Sequence, residues 1–198
     1  MAAAALRPHV LAIALAIGLS GCGAVNTIPT LEERAKSAWS EVQNQYQRRA
    51  DLIPNLVETV KGYAAQEREV LTQVTEARAK ASQVRVDAST ITDPQKFQEY
   101  QQAQNQLSGA RGRLLVTVER YPELKSNANF LALQSQLEGT ENRIAVARRD
   151  YIETVRAYNT ELRTIPGRWI AAFMYPEAKP METFTATTGS ERPPQVRF

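Results

Sequence analysis

Three stretches of this chain repeat their apolar residues in alternating steps of three and four, a spacing that confines it to helices packed seam to seam in the manner of a coiled coil. In the first stretch Ala35, Trp39, Val42, Tyr46, Arg49, Ile53, Leu56 and Val60 hold the rhythm, which continues through Tyr63, Glu67, Val70, Val74, Ala77 and Ala81 to Val84. Only Arg49 and Glu67 break its apolar character. Phe97, Tyr100, Gln104, Leu107, Arg111, Leu114, Val118 and Tyr121 keep the same beat in the second stretch. The third carries it from Phe130 through Leu137, Thr140 and Ile144 to Tyr151, and after a one-residue shift through Val155 and Tyr158 to Ile165. Nothing between Leu31 and Ile165 alternates as a strand would. The expected fold class is all-α.

Prolines set the expected boundaries. Pro29, Pro94, Pro122 and Pro166 fall between the blocks, and Asp93-Pro94 reads as an N-cap followed by a proline in the first helical position. With turns at 87–90 and 121–123, the segments run over 31–85, 94–121 and 127–165. Pro54 lies inside the first seam, where it removes a helical hydrogen bond and disfavours the α conformation at Ile53. Unbroken, residues 31–85 would form a rod of about 80 Å against a partner of about 40 Å, leaving Trp39, Val42 and Tyr46 short of contacts. A reversal at 51–54 gives instead helices near 31–50, 54–85, 94–121 and 127–165, which close as an up-and-down antiparallel four-helix bundle with long helices. The seam's unbroken phase across Pro54 supports the alternative, a kinked continuous helix. Gly62, Gly109, Gly112 and Gly139 each cost about 1 kcal/mol against alanine in a helix, and are read as points of close helix contact.

The apolar stretch at 167–175 is too short to span a bilayer. It reads as a cap on the end of the bundle, with docking on a membrane surface or a partner as the alternative, since Trp169 and Tyr175 suit interfaces. Residues 176–198, punctuated by Pro176, Pro180, Gly189, Pro193 and Pro194, read as an extended or disordered tail.

The front of the chain reads as an address. Arg7 precedes the apolar run Val10 to Leu19, which small residues close, the layout of a secretory signal peptide over residues 1–21. A spanning helix needs about 20 apolar residues, and this run is shorter and interrupted by Gly18, Ser20 and Gly21. Leu19-Ser20-Gly21-Cys22 resembles the bacterial lipobox, which implies cleavage before Cys22 and a diacylglyceryl and an acyl (palmitate-type) group on that residue. Residues 22–30 then form a lipidated linker. Gly23 stands where an aspartate retains many such proteins in the inner membrane. In a diderm cell the resemblance therefore implies the periplasmic face of the outer membrane.

One histidine and one cysteine, His9 and Cys22, leave everything beyond position 22 without imidazole or thiol. That removes Cys-His pairs, Ser-His-Asp triads, the common zinc sites and the Glu-x-x-His element of di-metal bundles. No catalytic residue, metal or cofactor is expected. The net charge of +3 is spread evenly, which argues against nucleic acid as a partner.

Arg48-Arg49-Ala50-Asp51-Leu52-Ile53-Pro54-Asn55-Leu56-Val57, Arg120-Tyr121-Pro122-Glu123-Leu124-Lys125 and the run from Leu137-Glu138-Gly139-Thr140-Glu141 to Arg148-Arg149-Asp150-Tyr151 resemble the LemA family of bacterial envelope proteins. The likeness extends from about Leu31 to Phe184. It implies a helical bundle over residues 31–175, held at a membrane by its N-terminus, in a family without an established biochemical activity. Most relatives look anchored by an uncleaved hydrophobic helix, and the lipobox is a departure from them.

Within these stretches Arg48, Arg49, Asp51, Glu138, Glu141, Arg148 and Arg149 are the candidate site residues. Glu138 and Glu141 share a helix face, so an acid/base or metal pair is one reading of them. Interhelical ion pairs that fix the bundle's register explain the same composition without any reaction, and a recognition surface is the third reading. The expected function is a lipid-anchored, non-enzymatic scaffold or adaptor of the cell envelope that binds other envelope or periplasmic proteins. Its rivals are an envelope enzyme using paired carboxylates and a self-associating structural protein, the oligomeric state being left open.

Overall fold

A computed structural model describes residues 24–84, 86–87 and 89–185. The signal-peptide and lipobox readings, with Cys22, and residues 186–198 lie outside the described residues. Every regular element among the described residues is helical: α1 (Thr27–Lys61), α2 (Arg68–Gln83), α3 (Pro94–Val118), the single turn α4 (Pro122–Lys125), α5 (Ala128–Glu161) and α6 (Gly167–Met174). The chain is all-α. Side-chain meetings fix the directions. Trp39 meets Tyr151 and Arg49 meets Glu141, so α1 and α5 are antiparallel. Trp39 meets Tyr100 and Arg49 meets Gln104, so α1 and α3 run the same way. The short α2 runs against both, its Arg78 on Ala50 and its Gln73 on Arg113.

α3 starts at Pro94 as read from the sequence, with the Asp93 carboxylate accepting from the backbone N–H groups of Gln95 (2.9 Å) and Lys96 (3.2 Å). α5 is capped in the same way by Asn127, which accepts from the N–H of Phe130 at 3.0 Å. At Pro29 the expectation fails. α1 begins at Thr27 rather than Leu31 and takes Pro29 into its first turn, where the backbone N–H has no helical partner to lose.

The expected reversal at 51–54 does not occur: α1 continues through Pro54 to Lys61. A proline in mid-helix leaves the carbonyl four residues earlier without its donor. Here that carbonyl belongs to Ala50, a buried residue, and Arg78 Nε from α2 donates to it at 2.8 Å. A side chain from the next helix thus supplies the hydrogen bond that the proline removes. The chain turns instead at residues 62–67, beginning with Gly62. Tyr63 and Glu67, which keep the seam's phase, are corner residues. Tyr63 Oη accepts from Asn127 Nδ2 (2.8 Å), and the Glu67 carboxylate accepts from Tyr121 Oη (2.7 Å) and Arg120 (3.0 Å).

The length mismatch that favoured a reversal is resolved by α5, whose 34 residues match the 35 of α1. The core divides in two. One cluster, at the C-terminal end of α1, joins Ile53, Leu56 and Val60 to Leu71 and Val74 of α2, Leu107 and Leu114 of α3, and Leu137 of α5. The other, at the N-terminal end, is beyond the reach of α2. It gathers Trp39, Val42 and Tyr46 with Phe97 and Tyr100 of α3, Tyr151 and Val155 of α5, and Ile91, Met181 and Phe184 from outside the helices. Residues 181–185, assigned from the sequence to the tail, are non-helical but strapped down. Met181 and Asn159 exchange two hydrogen bonds (2.8 and 2.9 Å), Tyr151 Oη donates to the Glu182 carbonyl (2.8 Å), and the Glu182 N–H donates to Ile91 (2.7 Å).

Close helix contact does not explain the interior glycines. A Cβ at Gly112 or Gly139 would meet nothing within 4 Å, one at Gly109 only the end of Arg113, and nothing in the structure accounts for these three. Gly167, by contrast, starts α6 against the Glu161 carbonyl, where a side chain has no room.

Arg78→Ala should lower stability by about 1–3 kcal/mol, the cost of leaving a buried acceptor without a donor. In a Pro54→Ala background, where residue 54 regains its N–H, the same change should cost far less. Urea melts of the four proteins would read this coupling directly.

Candidate functional site

The heptad spacing of α1 carries Arg49 into the interior, where it is 2% exposed, between the two apolar clusters. A charge there is tolerable only with its hydrogen bonds met. α3 offers Gln104 and Ser108 one turn apart: Arg49 donates through Nη2 to Gln104 Oε1 (2.6 Å) and the Gln104 carbonyl (3.3 Å), and through Nη1 to Ser108 Oγ (2.7 Å). α5 supplies the countercharge, Glu141 Oε1, at 3.4 Å from Nη1, and Arg111 of α3 approaches the same oxygen at 3.7 Å. The guanidinium also lies over the Tyr46 ring, 4.9 Å from its centroid, and its Nε has no partner among the described residues. One side chain therefore ties three helices at a single level.

Above this layer, toward the start of α1, lies an aromatic cluster. Trp39 touches Phe97 (5.7 Å between centroids), Tyr100 (5.2 Å), Tyr151 (5.3 Å) and Phe184 (6.1 Å). Arg148 covers Phe184 from outside, its guanidinium carbon 4.4 Å from the ring centroid. Burial pushes the phenols of Tyr100 and Tyr151 well above their ordinary value and that of Tyr158 to about 12. Tyr46 is raised by burial too, against the opposing charges of Arg148 and Arg49. At the 62–67 corner Tyr121 is raised chiefly by its hydrogen bond to the Glu67 carboxylate.

The seven candidate residues thus separate. Arg49 and Glu141 meet inside, and Arg148 caps the aromatic cluster. Among the described residues Asp51 accepts only from Gln47 on its own helix (2.7 Å), and Glu138 from Gln134 (3.0 Å). Arg149 pairs with its neighbour Asp150 at 3.6 Å, while Arg48 is exposed with no partner among the described residues. Glu138 and Glu141 do not form a carboxylate pair: the first is exposed, and the second is engaged by two arginines. The grooves between α1 and α2 (about 530 Å³) and between α2 and α3 (about 600 Å³) are lined by none of the seven. Among the described residues no three His, Cys, Asp or Glu side chains group to hold a metal ion, and no helix is long and apolar enough to cross a membrane.

Sequence reasoning missed Gln104, Arg111 and Glu67 as members of the site, although each marks a polar interruption of a seam. Ser108, Arg78 and Phe184 gave no such signal. The three family-like stretches prove to be joints of one framework: the first supplies Arg49 and the Ala50 carbonyl, the second Arg120 and Tyr121 for Glu67, the third Glu141, Arg148 and Tyr151.

What fold and site define is a class of long-helix protein in which some of the motif charges, Arg49, Glu141 and Arg120, join separate elements of the bundle while the others face outward. The model of the LemA family matches residues 38–198, and the chain belongs to that family. Curated relatives include Protein LemA of Metamycoplasma hominis, 25% identical over 142 residues, which are 72% of this chain and 61% of that protein. Magnetosome protein MamQ 2 of Paramagnetospirillum magneticum is 25% identical over 162 residues, 74% of this chain and 60% of its own length. Magnetosome protein MamQ of Magnetospirillum gryphiswaldense is 23% identical with the same coverage. The chain spans about 60% of the length of the relatives it matches.

Arg49→Ala, which strands Glu141 and Gln104, should destabilise the fold by about 3–5 kcal/mol, whereas Arg48→Ala on the exposed face should stay within about 0.5 kcal/mol. Thermal or urea melts compare the two.

The buried phenols set the alkaline limit. Their folded values lie above the ordinary one near 10, so in that interval the native state binds more protons than the unfolded chain, and stability falls as pH rises. Below about pH 10 this contribution is fully present. Phenolate absorbance from Tyr46, Tyr100, Tyr151 and Tyr158 should therefore appear together with loss of helical circular dichroism; ionisation of all four with the helix signal intact would contradict their burial.

Proposed function

We propose that this chain is a membrane-associated, non-enzymatic scaffold or adaptor of the bacterial cell envelope, anchored through lipid on Cys22 and placed on the periplasmic face of the outer membrane in a diderm cell. α1, α2, α3 and α5 act as an up-and-down bundle that holds a rigid surface away from the anchor. The observation that carries the reading is the fate of the motif residues. Arg49 and Glu141 satisfy each other across helices, and Arg120 and Tyr121 satisfy Glu67 at the distant corner, none of them lining a cleft, which supports a role through shape and surface instead of turnover. Membership of the LemA family and the apolar run ending at Leu19-Ser20-Gly21-Cys22 support the membrane anchor. The outward residues Arg48, Glu138 and Arg149 lie within one turn of a groove of about 350 Å³ between α1 and α5, lined by Glu41, Gln45, Asn142, Arg143, Val146, Ala147 and Asp150. That mixed-charge face is the surface offered to envelope proteins.

Intact mass of the detergent-extracted protein tests the anchor: the expected species begins at Cys22 and carries acyl groups. A mature N-terminus at Met1 or Ala2, or an unmodified Cys22, would replace the lipoprotein with an uncleaved anchor. For the adaptor role, site-specific crosslinkers at Arg48 and Arg149 should capture one envelope protein, and Glu138→Ala should lose that product while the helix signal is retained.

A further inference from the structure

Of the eight large apolar side chains exposed among the described residues, four fall within ten positions: Ile165, Trp169, Phe173 and Met174. Trp169 is 64% exposed and Phe173 92%. Trp169 and Phe173 sit four residues apart on α6 and so share its outer face, and Ile165 lies in the turn just before the helix. Its inner face is committed: Ile170, Ala171 and Tyr175 pack on the N-terminal core cluster, and Gly167 is pressed on Glu161. α6 is thus a fixed helix, apolar toward the core and apolar again on the side turned outward.

Its position says what covers that side. Tyr175 Oη donates to the carbonyl of Val25 at 3.2 Å, which places α6 beside the start of α1. Val25 is three residues from Cys22, and three residues span at most about 11 Å. A helix lying in a bilayer interface sinks its apolar face about 5–10 Å, and tryptophan is enriched at that depth. Arg163, Arg168 and Lys179, close to α6 in sequence, are exposed and make no ion pair with the described residues, and they outnumber the one acidic residue in the same state there, Glu177. They suit lipid phosphates.

We infer that α6 is an interfacial docking helix that inserts Trp169 and Phe173 into the phospholipid surface next to the anchor, giving the bundle a second point of attachment and a fixed tilt. This inference rests on the anchored reading above, because it needs Cys22 held at the bilayer. Two attachment points constrain orientation as one flexible lipid cannot.

Tryptophan emission isolates the event, since the chain has two tryptophans and the other, Trp39, is 5% exposed inside the bundle. The full chain would be reconstituted in phosphatidylethanolamine and phosphatidylglycerol vesicles whose acyl chains are brominated near the headgroup. The expected result is a loss of emission that Trp169→Phe removes and that Phe173→Ser, a change at an exposed position, weakens without altering circular dichroism. A chain that floats with the vesicles while Trp169 stays open to aqueous iodide and untouched by bromine overturns the docking and leaves the anchor standing. A chain that does not float overturns both. Shielding of Trp169 in detergent that grows with protein concentration, without vesicles, assigns the face to a second copy and also overturns the inference.

Discussion

A guanidinium in the middle of a helical core is stable only where several acceptors reach it at once, and Arg49 finds them on two other helices. Sliding α3 by one turn would carry either Gln104 or Ser108 out of its reach and break the paired acceptance, and sliding α5 would remove Glu141. The two apolar clusters on either side could tolerate many relative shifts, because Leu, Val and Ile contacts are non-directional. The polar layer between them cannot. Register along the whole length of α1 is therefore set at one level, and the apolar residues supply cohesion around a position they do not choose.

Pro54 works with that layer. Ala50, whose carbonyl it frees, is the next residue after Arg49, so α2 is recruited to the same level by Arg78 as α3 and α5 are by Arg49. Together the two arginines connect the four longest helices within about one helical turn of α1. α1 continues past its proline because the neighbouring helix compensates the lost bond, a tertiary effect that overrides the local rule.

This division explains what the sequence could and could not disclose. The burial of Ala35, Trp39, Val42, Tyr46, Arg49, Ile53, Leu56 and Val60 follows directly from their spacing, the charged member included. The turn at 62–67 was hidden because Tyr63 and Glu67 keep the phase while bonding to the α3–α5 connection. Arg78 offers no clue that it serves Ala50, since a proline's orphan carbonyl can be met from any packed neighbour. For the site, Arg49 was legible as a charge inside a seam, whereas Glu141 lies one position off its seam beside Thr140 and its pairing with Arg49 was not specified by the spacing. Phe184 was not, because it comes from a segment with no periodicity, held by backbone hydrogen bonds that leave no pattern in side chains.

The meeting of Phe184 with Trp39, and of Tyr175 with Val25, joins the two extremes of the described chain. Contacts so distant in sequence carry a large loop-closure entropy before they return anything, so they form late. A chain delivered N-terminus first across a membrane would complete the Arg49 level and the cluster beyond it once α5 has arrived. Trp39 would remain short of its last aromatic neighbour until residue 184 had followed. The order of synthesis thus makes the end of the bundle nearest the start of the chain the last to close, and through that interval its aromatic residues are open to whatever chaperone or protease is at hand.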